Sequence, residues 1–197
     1  VIERKYQAPF LAHNTMAPMN FFANVTDEKV ECIGPIQTPE WTQNRIADLL
    51  GRPKEEIFID LTRMGGGFGR RLYGDFVLEA AQISDKIRKP VKVLYEREDD
   101  MMGGIYRPST QYRFRAAIKD NQLTAYELIG ASVNDGNAVR ENNFPAGALE
   151  NYRVGVHELK SPVTTGAWRA PVTNFLAFAE QSFMDEIAEK MNQNPVE

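Results

Sequence analysis

Met64-Gly65-Gly66-Gly67-Phe68-Gly69-Arg70-Arg71 constrains this chain more than any other stretch, because glycine fills four of the five positions from 65 to 69. Each ordered glycine gives up more backbone freedom than any other residue, so such a run persists only where bare backbone is needed. A β-like run over 57–61 precedes it and a helical pattern begins near Gly74, so the stretch reads as a strand-to-helix connection. Two uses fit. One is a turn with positive φ; the other is a surface where main-chain N–H groups approach a ligand too closely for any Cβ. Arg63, Arg70 and Arg71 bracket the loop, and the next helix points its amino end at the same region, so the local field favours an anion. A Walker loop would need Gly-Lys-Ser/Thr where this chain has Gly-Arg-Arg, and a dinucleotide fingerprint would need a third glycine where Arg70 stands.

The pattern around the loop is α/β. Strands are expected over 2–7, 19–25 and 29–36. A helix then starts with Thr38 as N-cap and Pro39 in its first turn, stops at Gly51, and turns Trp41, Ile46, Leu49 and Leu50 to one side. A strand over 56–62 with Ile57, Ile59 and Leu61 on one face leads into the glycine loop. Next come a helix over 75–88 carrying Phe76, Ala80, Ile83 and Ile87, and a short apolar strand over 91–95 suited to a sheet interior. Residues 111–119 and 123–133 alternate as a long hairpin about Asp120-Asn121. Residues 134–150 form a long loop, 152–159 another strand, and 174–191 a closing helix with Phe175, Phe178, Ala179, Phe183, Ile187 and Met191 inward. The expected fold is α+β, with mixed β-sheet layers and helices packed on one face. It forms one unit, or two lobes of about 1–105 and 106–197.

At 197 residues the chain can bury about 70% of its unfolded surface, and a net charge of −4 gives no basic field for nucleic acid. No run approaches the roughly 18 apolar residues of a membrane span. The single cysteine, Cys32, excludes an internal disulfide or a cysteine-rich metal site, so any iron–sulfur or zinc centre would sit elsewhere. The chain opens at Val1 in mid-phrase and stops at Glu197 directly after a helix, as expected of a piece of a longer polypeptide.

Few other residues carry a chemical pattern. His13 and His157 lie far apart with no metal-ligand spacing and read as structural or surface histidines. Glu96, Glu98, Asp99 and Asp100 read either as a cation site or, in the favoured reading, as acids at the start of a solvated helix. In Thr164-Thr165-Gly166-Ala167-Trp168-Arg169-Ala170-Pro171, an arginine in a Gly- and Pro-flanked loop before a helix offers a guanidinium fork to an oxyanion, or an ordinary surface ion pair.

Five stretches, in order, resemble the xanthine dehydrogenase and aldehyde oxidase family of molybdenum hydroxylases. They are Ala12-His13 through Met16, Pro18 and Asn20; Ile36-Gln37-Thr38-Pro39; 64–71; Lys89-Pro90-Val91-Lys92 with Arg97-Glu98-Asp99; and Trp168-Arg169-Ala170-Pro171 with Glu180, Phe183 and 184–188. The Arg70-Arg71 pair is most similar to the isoquinoline 1-oxidoreductase β-subunit branch. The resemblance implies the first molybdopterin-binding portion of a large subunit. Gly65, Gly66, Gly67, Phe68, Gly69, Arg70, Trp168, Arg169 and Ala170 would then lie against the pterin, in its cytosine dinucleotide form, with no metal ligand in the chain. It also implies hydroxylation of an electron-poor carbon of an N-heterocycle or aldehyde with oxygen from water, and Arg169 would stabilise charge on substrate. Electrons would leave to a small [2Fe-2S] subunit or domain. The family's glutamate base would fall beyond Glu197, in the remainder of the large subunit, leaving the fragment inactive alone. Leu11, Ala17 and Leu72 depart from the family pattern and argue against a purine substrate. Two alternatives stay open: a non-catalytic assembly or partner-binding module that keeps the fold, and a nucleotide binder using Arg70 and Arg71 on phosphate.

Overall fold

A computed structural model describes residues 1–196. In chain order the elements are β1 (Ile2–Ala8), β2 (Asn20–Val25), β3 (Val30–Gly34), α1 (Pro39–Leu50), β4 (Ile57–Leu61), α2 (Asp75–Ile87), β5 (Val91–Leu94), α3 (Arg97–Met102), β6 (Thr110–Lys119), β7 (Gln122–Val133), β8 (Asn151–Leu159) and α4 (Thr173–Met191). They fall into two compact units. One comprises residues 1–11, 106–165 and 169 onward; the other comprises 12–105 with 166–168. The first strand thus belongs with the second half of the chain, a division different from lobes of 1–105 and 106–197. The cause is pairing, since β1 lies antiparallel along the whole of β6 from Ile2↔Ala116 to Ala8↔Thr110.

In the first unit the sheet order is β1-β6-β7-β8. The β6–β7 hairpin forms about Asp120 and Asn121, both at positive φ, as the turn chemistry requires. β8 returns parallel to β7, and the 134–150 loop supplies the crossover. One face of this sheet meets α4, where Tyr112, Phe114, Tyr126 and Leu128 pack with Phe175, Leu176, Ala179, Phe183 and Ile187. The other face is charged. Glu3, Arg115, Glu127 and Arg153 follow one another across the four strands. Arg115 bridges Glu3 at 3.3 Å and Glu127 at 3.6 Å, and Arg153 reaches Glu127 at 3.2 Å. Opposite charges on facing positions suit a solvated sheet face. Phe178, expected inward, is exposed and packs edge-on to Tyr6.

The second unit has sheet order β4-β3-β2-β5 with α1 and α2 on one face. β5, expected in the sheet interior, is an edge strand antiparallel to β2. Val91 and Val93 are half-buried while Lys92 and Leu94 point outward, a pattern that one neighbour satisfies. Both helices are also rotated from the expected faces. α1 fully buries only Thr42 and Ile46, and Trp41 lies 47% exposed under the Arg45 guanidinium. α2 turns Phe76, Val77, Ala80, Ala81 and Ser84 inward and leaves Ile83 and Ile87 exposed. Small side chains at 80, 81 and 84 let the helix lie close to the sheet, and that closeness outweighs burying two isoleucines. Buried Ser84 remains satisfied, accepting the Val25 N–H at 2.9 Å and donating to the Lys89 carbonyl at 2.8 Å.

Gly51 ends α1 in the left-handed conformation, as its position predicts. Thr38, however, makes no side-chain cap. Its hydroxyl donates to the Leu72 carbonyl at 2.6 Å and ties the start of α1 to the end of the glycine loop.

Glu180 of α4 is buried, its Oε2 has no partner among the described residues, and burial raises its carboxyl above the ordinary range. The folded state therefore holds a proton that the unfolded chain releases as pH passes upward through about 4.5. Stability contributed by Glu180 is full below that value and declines as pH rises toward the folded pKa. Urea midpoints measured across this window should fall with rising pH in the wild type, and the Glu180 share of that fall should vanish in Glu180→Gln.

Candidate functional site

The glycine loop sits between β4 and α2 with its carbonyls tied down. The Gly65 carbonyl accepts the Ala17 N–H at 3.3 Å, the Gly66 carbonyl accepts Arg71 Nε at 3.0 Å, and the Gly67 carbonyl accepts the Arg70 N–H at 2.8 Å. The Gly69 N–H donates to Gln37 Oε1 at 3.1 Å. By contrast, the N–H groups of Gly65, Gly66, Gly67 and Phe68 donate to nothing among the described residues. Gly66 (φ 95), Phe68 (φ 53) and Gly69 (φ 105) take left-handed backbone, and Phe68 is 41% exposed. Gly65 and Gly66 are half-buried, Gly67 is buried and Phe68 is exposed; amides left without an acceptor on a bend with positive φ are donors that an anion can use.

The second loop approaches it through residues 166–168. A Cβ on Gly69 would lie 2.1 Å from the Ala167 carbonyl oxygen and 3.3 Å from Trp168 Cα, so only glycine permits this approach. Two side chains hold the bend. The Tyr73 hydroxyl accepts the Ala167 N–H at 2.5 Å, and His13 Nε2 donates to the Ala167 carbonyl at 2.8 Å. The His13 ring also stacks on Trp168, centroids 4.7 Å apart. Because a carbonyl only accepts, Nε2 carries the proton. Arg169 and Ala170 follow in the first unit, both exposed, with Ala170 at φ 55.

The arginines differ from their expected use. Arg70 is 2% exposed and is gripped by Asp75 through two bonds, 2.7 and 2.8 Å. Arg71 is fully buried and donates to the carbonyls of Gly66, Pro35, Ala17 and Pro18, at 2.9 to 3.2 Å. Neither guanidinium is presented to an external phosphate, which removes the basis of the nucleotide reading. Arg63 alone of the three is exposed. The acidic run caps α3, with Glu96 and Asp99 forming a reciprocal capping box, and no group of metal-ligating side chains occurs among the described residues.

Sequence gives Tyr73 and Asp75 no functional reading, Gln37 a place only within a stretch that carries the family resemblance, and His13 the same besides a structural or surface reading. Each acts through a partner 5 to 154 positions away, so no local spacing exposes it. Burial holds the His13 imidazole below its ordinary pKa, and the Arg70 charge adds to the effect. The unfolded chain takes up this proton as pH falls through about 6.5 while the folded protein resists it, so stability present above 6.5 is lost progressively below it. Thermal midpoints should drop over that interval, and His13→Gln should flatten that part of the profile.

The molybdopterin cofactor-binding domain family matches residues 1–197. The isoquinoline 1-oxidoreductase β subunit of Brevundimonas diminuta is 27% identical over 98% of this chain and 26% of that protein. The aldehyde oxidoreductase molybdenum-binding subunit of Escherichia coli K12 is 29% identical over 100% of this chain and 28% of that protein. The chain thus spans about a quarter of the length of these relatives. In fold it is similar to the aldehyde oxidoreductase of Desulfovibrio gigas, with TM-score 0.80 and 20% identity over 98% of this chain and 23% of that one. Quinoline 2-oxidoreductase of Pseudomonas putida 86 gives TM-score 0.79 and 18% identity, over 98% of this chain and 27% of that one. With a family match over its full length and an α+β architecture shared with those enzymes, the chain belongs to the molybdopterin cofactor-binding domain family.

Proposed function

We propose that this chain is the cofactor-cradling part of a molybdopterin-dependent oxidoreductase. That enzyme hydroxylates an electron-poor carbon of an N-heterocycle or aldehyde with oxygen from water and passes the electrons to an iron–sulfur partner. The observation that carries the reading is the row of four unbonded amides at 65–68, beside a contact at Gly69 that no side chain fits. An anionic pterin suits those donors, because each amide is already oriented and loses little freedom on binding. When bound, the molybdenum pterin supplies the two-electron redox chemistry that water and protein side chains lack.

The chain's own residues then divide the work. Gly65, Gly66, Gly67 and Phe68 hold the cofactor's anionic edge, in the cytosine dinucleotide form, and the Phe68 ring walls the site from water. Gly69 keeps the 166–168 bend close, and His13 and Tyr73 fix that bend so that Trp168 is held still. Exposed Arg169 offers a fork of N–H donors to charge developing on a substrate oxygen or ring nitrogen. Arg70, committed to Asp75 through Nη1 and Nη2 and with its Nε buried, contributes positive charge. The general base lies in the rest of the large subunit. Purifying the full-length parent and assaying molybdenum by metal analysis and pterin by fluorescence after oxidation should find both in near-equal amounts. A mature preparation containing neither refutes the assignment and favours a non-catalytic module.

A further inference from the structure

Arg71 is an unusual buried cation. Among the described residues its guanidinium has no acidic partner within bonding reach, and its hydrogen bonds go to backbone carbonyls: Gly66 at 3.0 Å, Pro35 at 3.2 Å, Ala17 at 2.9 Å and Pro18 at 3.1 Å. Burial, with the neighbouring Arg70 charge, lowers its pKa to about 10, which still leaves it charged at neutral pH. Retaining a desolvated charge to cap carbonyls is costly unless the arrangement does something that a neutral side chain would not.

The geometry of the peptide plane supplies that use. In a trans peptide the carbonyl and the following N–H point in opposite directions. Arg71 pulls the Gly66 carbonyl toward the interior, so the N–H of Gly67 is turned away from it. The Gly67 carbonyl is held by the Arg70 amide, which turns the Phe68 N–H away from that amide. Both amides belong to the row that donates to nothing among the described residues. We propose that Arg71 is a positioning residue: by gripping the Gly66 carbonyl, its guanidinium orients the Gly67 amide as a donor to the cofactor's anionic edge, beside the Phe68 amide that the Arg70 backbone orients. Its positive charge, behind the same peptides, adds to the field those amides present. This inference rests on the pterin-cradle reading of the loop.

The test uses the full-length parent matured with its pterin. Arg71→Lys keeps the charge but has three donors on a single nitrogen, so it cannot hold four carbonyls in the same geometry. Arg71→Met removes charge and donors together. The expected result is folded Arg71→Lys, with a thermal midpoint lowered by the carbonyls it leaves unpaired, that in addition releases pterin about tenfold faster, and Arg71→Met that releases it faster still or is never loaded. A purely structural role would move the midpoint and leave the release rate alone. Hydrogen exchange on wild-type parent, with and without pterin, gives a second readout that needs no variant. Exchange at Gly67 and Phe68 should slow on loading. Wild-type release from both variants, or unchanged exchange at 67 and 68 in the loaded parent, overturns the role given to Arg71. A wild-type parent that never carries pterin instead overturns the cradle reading beneath it.

Discussion

Gly69→Ala is expected to destabilise the protein by about 2–6 kcal/mol, combining about 1–3 kcal/mol of backbone strain with about 1–3 kcal/mol of overpacking. The strain arises because φ at Gly69 is 105, where an L side chain is rarely found. The overpacking arises because the new Cβ would meet the Ala167 carbonyl oxygen at 2.1 Å, and a backbone oxygen held by His13 cannot swing aside as a flexible side chain would. Gly51→Ala is the matching control. It also has positive φ, 64, but nothing lies within 4 Å of its Cβ, so strain alone should remain, about 1–2 kcal/mol. Urea unfolding of the three proteins followed by circular dichroism measures the difference. Equal losses at 69 and 51 would mean that the 166–168 bend does not press on the loop.

Phe183→Ala should cost about 3–5 kcal/mol, as removal of a fully buried aromatic ring leaves a cavity that close-packed neighbours cannot fill. The ring centroid lies 5.1 Å from that of Phe114 and 5.8 Å from that of Tyr126, and this aromatic group joins α4 to the face of β6 and β7. Phe178→Ala on the same helix removes an equal volume from a position 59% exposed, so its loss should stay near or below about 1 kcal/mol. Linear extrapolation from urea curves at constant slope gives both values. If Phe178 proves the costlier of the two, its outward placement on α4 is wrong.

The outward Phe178 shows how far patterning reaches. A three- and four-residue spacing placed α4 correctly along the chain, but Phe178 lies at the margin of its apolar arc, and a helix resting on a twisted sheet buries a narrower stripe than the sequence offers. The same happened on α1 and α2, where Trp41, Leu49, Ile83 and Ile87 are exposed and Thr42, Ala81 and Ser84 are enclosed. Hairpin chemistry was more legible. Asp120-Asn121 specifies its turn through residues that tolerate positive φ, and β6 and β7 pair as their alternation requires. Five motifs in order also sufficed to recognise the family.

Residue order alone specifies the existence of most elements, the α+β class, the family, and the glycine loop as a place where backbone must stay bare. Each follows from information carried within a few residues: periodicity, turn chemistry or glycine content. Only the tertiary structure decided the use of the arginines, with Arg70 closed onto Asp75 and Arg71 buried among four carbonyls. It also assigned β1 to the second half of the chain and brought His13, Gln37 and Tyr73 to the two loops. The physical reason is that a hydrogen bond is satisfied by proximity in space, and the partners of these residues lie as many as 154 positions away along the chain.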